Sequence, residues 1–347
     1  MAGEQVPAIG VVVLSYNKRD SLLLALQSIR LAEYSVLTVV VVDNASSDGS
    51  ADAAEARFPD FTVIRSTRNL GAASGRNVGW RYLRETTHCD YLVFLDDDAE
   101  VTPEYFSAIV RCFESHPEAG VVAGKALTAP VSGVIMSAGI AVNLYTGNVG
   151  DVGTGESDVG QYEQAREVDA CGGFALAVRG RVFEQLNGID EQFNPYGWEE
   201  VDFCLRAHAA GFTVRYEPQA LLCHKGTRAG RPPKAEYERH KVRNYFRLIG
   251  RHGSVAQKLS CMVFVPIRCA RVAWLMIRTG NPKIILAQAR GFLEALCHRR
   301  NDPPELPGPA YISVMLSRLH VNSRIAAMRV VMNRQWLSRQ ARNQSRM

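Results

Sequence analysis

The feature that most constrains this sequence is a run of three aspartates, Asp96, Asp97 and Asp98, directly after the apolar segment 91–95. Adjacent carboxylates repel one another and lose their hydration at a cost, so a buried acidic triplet needs a compensating cation. Divalent Mg or Mn prefers oxygen ligands and commonly joins one or two carboxylates to substrate phosphates. An acidic loop before a helix that begins near Pro103 is the alternative, but it accounts for one acid and not for three. The triplet therefore predicts a site for a divalent cation.

The N-terminal third of the chain alternates between short apolar runs and amphipathic segments. Continuous apolar runs indicate buried strands, and apolar residues at helical spacing indicate helices. The predicted strands cover residues 9–15, 36–42, 61–65 and 91–95, and the predicted helices cover 18–33, 46–57, 71–84 and 103–114. This order predicts an α/β fold with a mostly parallel sheet and helices on both sides. Ligands of such sheets bind beyond the carboxyl ends of the strands, where the triplet lies.

The pattern changes after residue 130. Strands are predicted over 134–142 and 168–178, separated by the glycine-rich stretch 146–160, which is long and polar enough to be mobile. The pair Gly172 and Gly173 inside a strand pattern often marks the close approach of a ligand to the backbone. A helix is predicted over 198–210 and short strands over 213–216 and 220–223.

The charge of the chain is divided unevenly. Residues 1–227 carry 17 Lys and Arg against 30 Asp and Glu, whereas residues 228–347 carry 23 against 5. We therefore predict an acidic body, residues 1–230, and a basic helical extension, residues 231–347. A basic extension favours anionic partners such as lipid headgroups, nucleic acid or pyrophosphates.

The extension is predicted to be helical over 235–251 and 255–278, with further segments beginning at Pro282 and Pro303. The apolar part of the second helix, 259–277, contains a proline and two arginines and is a poor transmembrane span. Two interpretations stay open: an amphipathic helix at a membrane interface, or one that docks on the body.

Cysteine usage and the N-terminus bear on the compartment. The eight cysteines include no pair with C-x-x-C spacing, so neither a zinc knuckle nor a disulfide framework is indicated. The first residues lack the basic region of a signal peptide. We expect a cytoplasmic protein with reduced thiols, peripheral at the inner face of the cytoplasmic membrane if the extension binds lipid.

Seven segments resemble the inverting glycosyltransferases of family 2, which have the GT-A fold, and in particular their rhamnosyltransferase and galactofuranosyltransferase branch. The segments are VVVLSYNKRDSLLLALQSI, VVVVDNASSDGS, NLGAASGRNVG, YLVFLDDDAEV, VDACGGFALAVRGRVFEQLNGIDEQF, WEEVDFCLRAHAAG and CHKG. They occur in family order and cover roughly residues 8–250. Each is weak alone, but seven in order are specific.

The resemblance implies a donor site and a metal site. Asp98 with Asp96, and His224 as a third ligand, would hold Mg or Mn against the diphosphate of a nucleotide-sugar. The implied donor-binding residues are Ser15, Tyr16, Asn17, Asp43, Arg76, Asp96, Asp97, Gly173 and Lys225. Judged without the family, Asp43 also suits a turn, Arg76 a solvated helix surface, and His224 a structural position.

The resemblance also implies a catalytic base. Inverting transfer needs a carboxylate that takes the proton of the acceptor hydroxyl. Glu200 stands at the usual base position, where the family more often has Asp, so Glu199 stays open as the alternative. Trp198 and Asp202 are the expected acceptor contacts, although the three acids here also suit a helix N-terminus.

The implied activity is metal-assisted transfer of a sugar, with inversion, from dTDP-rhamnose or a UDP-sugar to a hydroxyl of a glycan or lipid-linked glycan. A dehydrogenase would need glycines after the first strand, where the chain reads Ser-Tyr-Asn-Lys-Arg-Asp. A sugar-phosphate nucleotidyltransferase would need a glycine-rich basic loop at the same turn, and a non-catalytic binding protein would have lost acids from the site. No nucleic acid is expected, because the extension is poor in aromatic residues.

Overall fold

The computed structural model describes residues 6–129, 133–225, 235–278 and 283–297. Arg228, which together with Lys225 is expected to close over the diphosphate, and the segment predicted to begin at Pro303 lie outside the described residues.

A ten-stranded sheet forms the centre of the protein, with its strands in the order β10-β12-β6-β11-β4-β1-β2-β3. β5 pairs with β12, β7 pairs with β6, and β8 and β9 form a separate hairpin. The strands are β1 Ile9–Ser15, β2 Leu37–Asp43, β3 Thr62–Arg65, β4 Tyr91–Asp96, β5 Ala99–Val101, β6 Ala119–Thr128, β7 Ile135–Ser137, β8 Ile140–Asn143, β9 Asn148–Asp151, β10 Arg166–Glu167, β11 Ala175–Arg179 and β12 Thr213–His224. The predicted α/β fold with a mostly parallel sheet is confirmed.

The parallel register of the first strands aligns the ends that carry polar residues. β1 pairs with β2 so that Ser15 lies opposite Asp43, and it pairs with β4 so that Leu14 lies opposite Asp96. The strands are buried on both faces because helices cover both sides of the sheet. Val11 and Val13 belong to one core, whereas Val12 belongs to the other.

The helices are α1 Arg19–Arg30, α2 Ser50–Arg57, α3 Ala72–Thr86, α4 Tyr105–Ser115, α5 Gly180–Gln185, α6 Glu199–Ala209, α7 Ala235–His252, α8 Val255–Arg278 and α9 Lys283–Cys297. A short 3-10 helix covers Glu191–Phe193. The helices predicted in the body and the first part of the extension are present, with ends that differ by a few residues. In the described part of the chain, no helix combines the length and the hydropathy needed to span a bilayer.

Several predictions in the middle of the chain were wrong. The strand predicted over 168–178 is only β11, which runs antiparallel to β4 and β6, and Gly172 and Gly173 lie in the turn before it. The strand predicted over 134–142 is divided into β7 and β8, and the stretch predicted to be mobile contains β9. The short strands near the end of the body are one strand, β12, whose register shifts between Glu217 and Leu221.

β6 was not predicted because glycines and a lysine interrupt its apolar pattern. A Cβ at Gly124 would lie 2.3 Å from the carbonyl oxygen of Ala220. This close backbone approach occurs where β12 shifts register, and it excludes a side chain at Gly124. The glycine that weakens the sequence pattern is therefore required by strand packing.

The helical extension shares a core with the body. Tyr245, Leu248 and Ile249 of α7 and Cys261 of α8 belong to the same buried cluster as residues of the sheet. The hydroxyl of Tyr245 donates to the carbonyl of Gly147. Hydrophobic packing therefore continues across the predicted division at residue 230.

α3 packs on β1 through two glycines, and this contact allows a test of the fold. A Cβ at Gly79 would lie 2.4 Å from a methyl carbon of Val12. We expect Gly79→Ala to destabilise the protein by about 1–3 kcal/mol through overpacking. Gly250→Ala in α7 is the matched control, because no atom lies within 4 Å of its Cβ position. The control should be neutral or stabilising by up to about 1 kcal/mol. Urea unfolding of both variants measures the difference, and equal stabilities would contradict the close contact.

Candidate active site

Polar residues from distant parts of the chain meet at the carboxyl ends of the central strands. Ser15, Asp43 and Asp96 end β1, β2 and β4. β12 brings His224 to the same edge, because it pairs with β5 so that His224 lies opposite Ala99. The chain turns from β4 into β5 through the aspartate triplet, so this pairing fixes the histidine beside the triplet.

Asp96, Asp98 and His224 form a cluster with the composition of a metal site. One ligand atom from each lies within 4.8 Å of the others. Nε2 of His224 is 2.8 Å from Oδ1 of Asp98 and 3.9 Å from Oδ2 of Asp96. This spacing is close to that of ligands around one cation, and two carboxylates with an imidazole are competent ligands. The cluster fits a divalent ion, since two carboxylates and an imidazole place ligand atoms within reach of one cation.

Lys18 is a site residue that the sequence analysis missed. Its Nζ lies 2.8 Å from Oδ2 of Asp98 and 3.1 Å from Oδ1 of Asp97. It stands in the loop after β1, next to Tyr16, whose amide donates to Asp97. The only sequence signal was a lysine in the turn that follows the first strand, which is too common a feature to indicate a role. In this structure Lys18 supplies positive charge to two of the three aspartates.

This environment shifts the pKa values of Asp97, Asp98 and His224 in different directions. Burial raises the pKa of Asp97 to about 6, although Lys18 and the Tyr16 amide oppose the rise. Burial also acts on Asp98, but hydrogen bonds and charges from His224 and Lys18 outweigh it and hold its pKa well below the usual range. Burial lowers the pKa of His224, but the hydrogen bond to Asp98 and the charges of Asp96 and Asp98 raise it above its ordinary value.

Arg76 connects the metal cluster to the acids of α6. The side chain is only 4% exposed. Its Nη2 donates to Oδ1 of Asp96 at 2.9 Å and to the carbonyl of Gly173 at 2.8 Å, and its Nη1 donates to Oε1 of Glu199 at 3.1 Å. Arg76 is therefore a buried bridge between acids rather than a solvated helix charge. Its predicted contact with a nucleotide stays a prediction.

Glu199 and Glu200 differ in how their negative charges are compensated. Glu199 is buried and paired with Arg76, so its charge is neutralised locally. The carboxyl of Glu200 lies close to the turn at Gly173, where an added Cβ would be 3.3 Å from its Cδ. Burial, followed by the charge of Glu199, raises the pKa of Glu200 to about 8. A carboxyl group with a pKa near neutrality is suited to exchange protons at physiological pH.

The loops after β1 and β2 form the other wall of the site. Asp43 is buried and accepts from the amide of Ser46, while its Oδ1 has no hydrogen-bond partner among the described residues. The hydroxyl of Ser15 is likewise buried without a described partner. Asn17 ties the two loops together by accepting from the Ser47 amide at 2.8 Å. The walls therefore offer unused buried polar atoms, as expected for a surface that receives a polar ligand.

Two further predicted donor residues flank the cluster. Gly173 lies at the turn before β11, where its carbonyl accepts from Arg76. Lys225 donates its amide to the carbonyl of Asp98 at 3.0 Å, and its Nζ lies 2.8 Å from Glu100. Both residues are adjacent to the metal cluster.

The two expected acceptor residues, Trp198 and Asp202, contact α7. Nε1 of Trp198 donates to the carbonyl of Lys241 at 3.0 Å, and its ring packs edge-on against Tyr245. Asp202 is fully buried and accepts from Arg206, Arg251 and His252 at 2.8–2.9 Å. Because Arg206, Arg251 and His252 surround this carboxylate, Asp202 joins α7 to α6, and its predicted contact with an acceptor stays a prediction.

Comparison with known proteins agrees with this geometry. Residues 10–140 match the family described as Glycosyl transferase family 2. An N-acetylglucosaminyl-diphospho-decaprenol L-rhamnosyltransferase of Mycobacterium tuberculosis is 28% identical over 302 residues, which cover 78% of this chain and 98% of the relative. The low-salt glycan biosynthesis hexosyltransferase Agl10 of Haloferax volcanii is 24% identical over 59% of this chain and 63% of its own length.

Solved structures show the same fold at low sequence identity. The mannosyltransferase PcManGT from Pyrobaculum calidifontis, in complex with GDP-Man and Mn2+, matches with a TM-score of 0.54 at 17% identity, covering 86% of this chain and 89% of that one. S. aureus TarS 1-349 with UDP-GlcNAc matches with a TM-score of 0.54 at 16% identity, covering 83% and 81%. The GT-A-like fold predicted from the sequence is thus confirmed.

The ion cluster around Asp202 can be tested through stability. We expect Asp202→Asn to destabilise the protein by about 3–5 kcal/mol at pH 7, because the variant leaves buried cations uncompensated. Hydrogen bonds and charges from His252, Arg206 and Arg251 overcome burial and lower the pKa of Asp202 in the folded state. This stabilisation is present above the unfolded carboxyl pKa of about 4 and is lost as the pH falls below it.

Urea unfolding at pH 7 and pH 3.5 measures both effects. Asp52→Asn is the matched control, because Asp52 is exposed and pairs with Arg65 at the surface. Its loss should change stability by less than about 1 kcal/mol. Equal effects of the two substitutions would show that the α6–α7 contact does not depend on Asp202.

Proposed function

We propose that this glycosyltransferase, which carries a family 2 domain, transfers a sugar with inversion from dTDP-rhamnose or a UDP-sugar to a hydroxyl of a glycan or lipid-linked glycan, assisted by Mg or Mn. The observation that carries the proposal is the bridge made by Arg76, which joins Asp96 of the metal cluster to Glu199 beside Glu200. This bridge supports a reaction in which the site for the leaving diphosphate and the base lie close together.

On the donor side, Asp96, Asp98 and His224 would hold the ion. An ion held by these residues would supply positive charge to offset the negative charge that develops on the departing nucleoside diphosphate. Lys18 and Lys225 stand close enough to contribute further positive charge to the phosphates. The burial of Asp98 keeps water from weakening these interactions.

The nucleoside would occupy the edge between the first two loops. The unpartnered Oδ1 of Asp43 is suited to accept a hydrogen bond from a pyrimidine base, and the hydroxyl of Ser15 offers a second polar contact. Tyr16 is half exposed beside them and can cover the ring. Asn17 keeps both loops in register through Ser47.

Glu200 is the proposed base. Its carboxylate would take the proton of the acceptor hydroxyl as that oxygen attacks the anomeric carbon opposite the phosphate. Glu199 is the weaker candidate, because its carboxylate is occupied by the ion pair with Arg76. Glu199 and Arg76 instead position the turn at Gly173, against which Glu200 lies.

A lipid-linked acceptor is supported by the relative from M. tuberculosis, whose name describes rhamnosyl transfer to N-acetylglucosaminyl-diphospho-decaprenol. That relative is matched over nearly its whole length. A diphospholipid acceptor would place the enzyme at the inner face of the cytoplasmic membrane.

Separate measurements of donor binding and of sugar transfer test these assignments. Asp98→Asn should abolish Mn-dependent binding of the nucleotide donor, measured by calorimetry with a panel of nucleotide-sugars. Glu200→Gln should bind the preferred donor with unchanged affinity but lose at least about 100-fold in transfer rate, because it removes general base catalysis. Glu199→Gln is the comparison variant. Normal turnover by Glu200→Gln, with loss in Glu199→Gln, would move the base to Glu199.

The raised pKa of Glu200 predicts the sign of the pH dependence. The base acts as a carboxylate, so the transfer rate at saturating donor should rise with pH and reach a plateau above the pKa. The pKa is about 8 in the free protein, and a bound divalent cation should move the rise to lower pH. Below it, the rate should change by about tenfold per pH unit. A rate that is flat between pH 5.5 and 9 would exclude a titrating base.

A further inference from the structure

α8 exposes a set of large apolar side chains on the surface of the protein. Their exposed fractions are 75% for Val255, 60% for Leu259, 71% for Met262, 61% for Val263, 48% for Phe264, 64% for Ile267 and 57% for Trp274. Most of them recur at intervals of three or four residues and therefore share one side of the helix. Soluble proteins seldom expose so many neighbouring apolar side chains without a binding role.

The opposite side of α8 is fixed to the body. Gln257 and Cys261 are each 5% exposed, and Sγ of Cys261 donates to the carbonyl of Leu144 at 2.8 Å. Because these contacts set the rotation of the helix, its apolar side is directed outward. The exposure is thus a property of the docked helix.

α9 presents a second apolar surface. Ile284 and Ala287 are buried, and a Cβ at Gly291 would lie 2.2 Å from the carbonyl oxygen of Arg239, so one side of α9 is packed closely on α7. The other side exposes Leu286, Phe292, Leu293 and Leu296, with exposed fractions of 40–59%. Glu294, the acid of this helix, lies 3.7 Å from Arg239 of α7.

The charge of these helices indicates what covers them. α8 contains no acidic residue and carries Lys258, Arg268, Arg271 and Arg278. Residues 228–347 as a whole have 23 Lys and Arg against 5 Asp and Glu, and no acid follows Glu305. The same surface of a second copy, or the chain's own C-terminal segment, would bring further positive charge against this surface. An anionic lipid headgroup layer complements both the apolar side chains and the charge.

We propose that the exposed sides of α8 and α9 lie in the headgroup region of an anionic membrane. No helix within the described ranges can span a bilayer, which agrees with binding at the interface. The role that we assign to this membrane binding, delivery of a lipid-linked acceptor, rests on the proposed function. Contacts of α7 with Trp198 and Asp202 join the membrane-facing helices to α6, which carries Glu200.

Co-flotation of the full chain with vesicles tests the proposal. We expect binding to vesicles of phosphatidylcholine with phosphatidylglycerol, and little binding to phosphatidylcholine alone. The double variant Phe264→Glu with Leu293→Glu should lower the partition coefficient by about tenfold or more, because two large apolar side chains leave the lipid interface. Leu24→Glu with Leu31→Glu is the matched control, since it adds the same charge at two exposed leucines of the body. The control should bind nearly as well as the natural chain.

Three results would overturn the proposal. The first is that the natural chain fails to float with vesicles at low salt, and the second is that both double variants lose the same amount of vesicle binding. The third result is a dimer of the natural chain that Phe264→Glu with Leu293→Glu dissociates and the control does not, with vesicle binding unchanged. Circular dichroism checks folding, and Phe264→Ser with Leu293→Ser replaces the first variant should it unfold. Mn-dependent donor binding without vesicles is measured in parallel. If the natural chain does not bind a nucleotide donor in the presence of Mn, the proposed function is contradicted. Vesicle binding tests the membrane surface alone.

Discussion

The buried guanidinium of Arg76 is the interaction on which the arrangement of this site depends. The carboxylates of Asp96, Glu199 and Glu200 approach one another and the Gly173 turn at the edge of the sheet. Repulsion between these carboxylates would separate them without a cation between them. Arg76 binds Asp96, Glu199 and the Gly173 carbonyl within 3.1 Å. Because α3 is fixed to β1 by close glycine contacts, the position of this cation follows from the packing of the sheet. Chemistry and core packing are therefore connected through one side chain.

Compensation of charge is organised in two adjoining groups. Lys18 and His224 surround Asp98, while Arg76 lies between Asp96 and Glu199. Burial raises the pKa of Asp97 and of Glu200, and at Glu200 burial and the charge of Glu199 outweigh the attraction of Arg76. The same group of acids thus contains Asp98, whose pKa is lowered, and Glu200, whose raised pKa allows proton exchange near neutral pH.

The sequence predicted the parts of the fold that depend on local patterns. β1, β2 and β4 are recognisable because burial on both faces requires continuous apolar runs, and the triplet after β4 marked the site. β6 escaped prediction because the close approach of Ala220 requires a glycine inside it. Lys18 and the partners of Asp202 were missed for another reason: they meet residues about 50 to 80 positions away, and such pairings leave no periodic signal in the chain.

The enclosure of Asp202 has a consequence for how the chain can be shortened. Arg251 and His252 of α7 complete the shell of a carboxylate that lies inside the body, and Arg251 also neutralises Asp190 at 2.7 Å. A fragment that stops at residue 230 would keep both acids and lose these partners, and it would uncover the apolar surface beneath Tyr245. The unit that can be produced on its own consequently extends at least through α7, although the residues of the site itself end at Lys225.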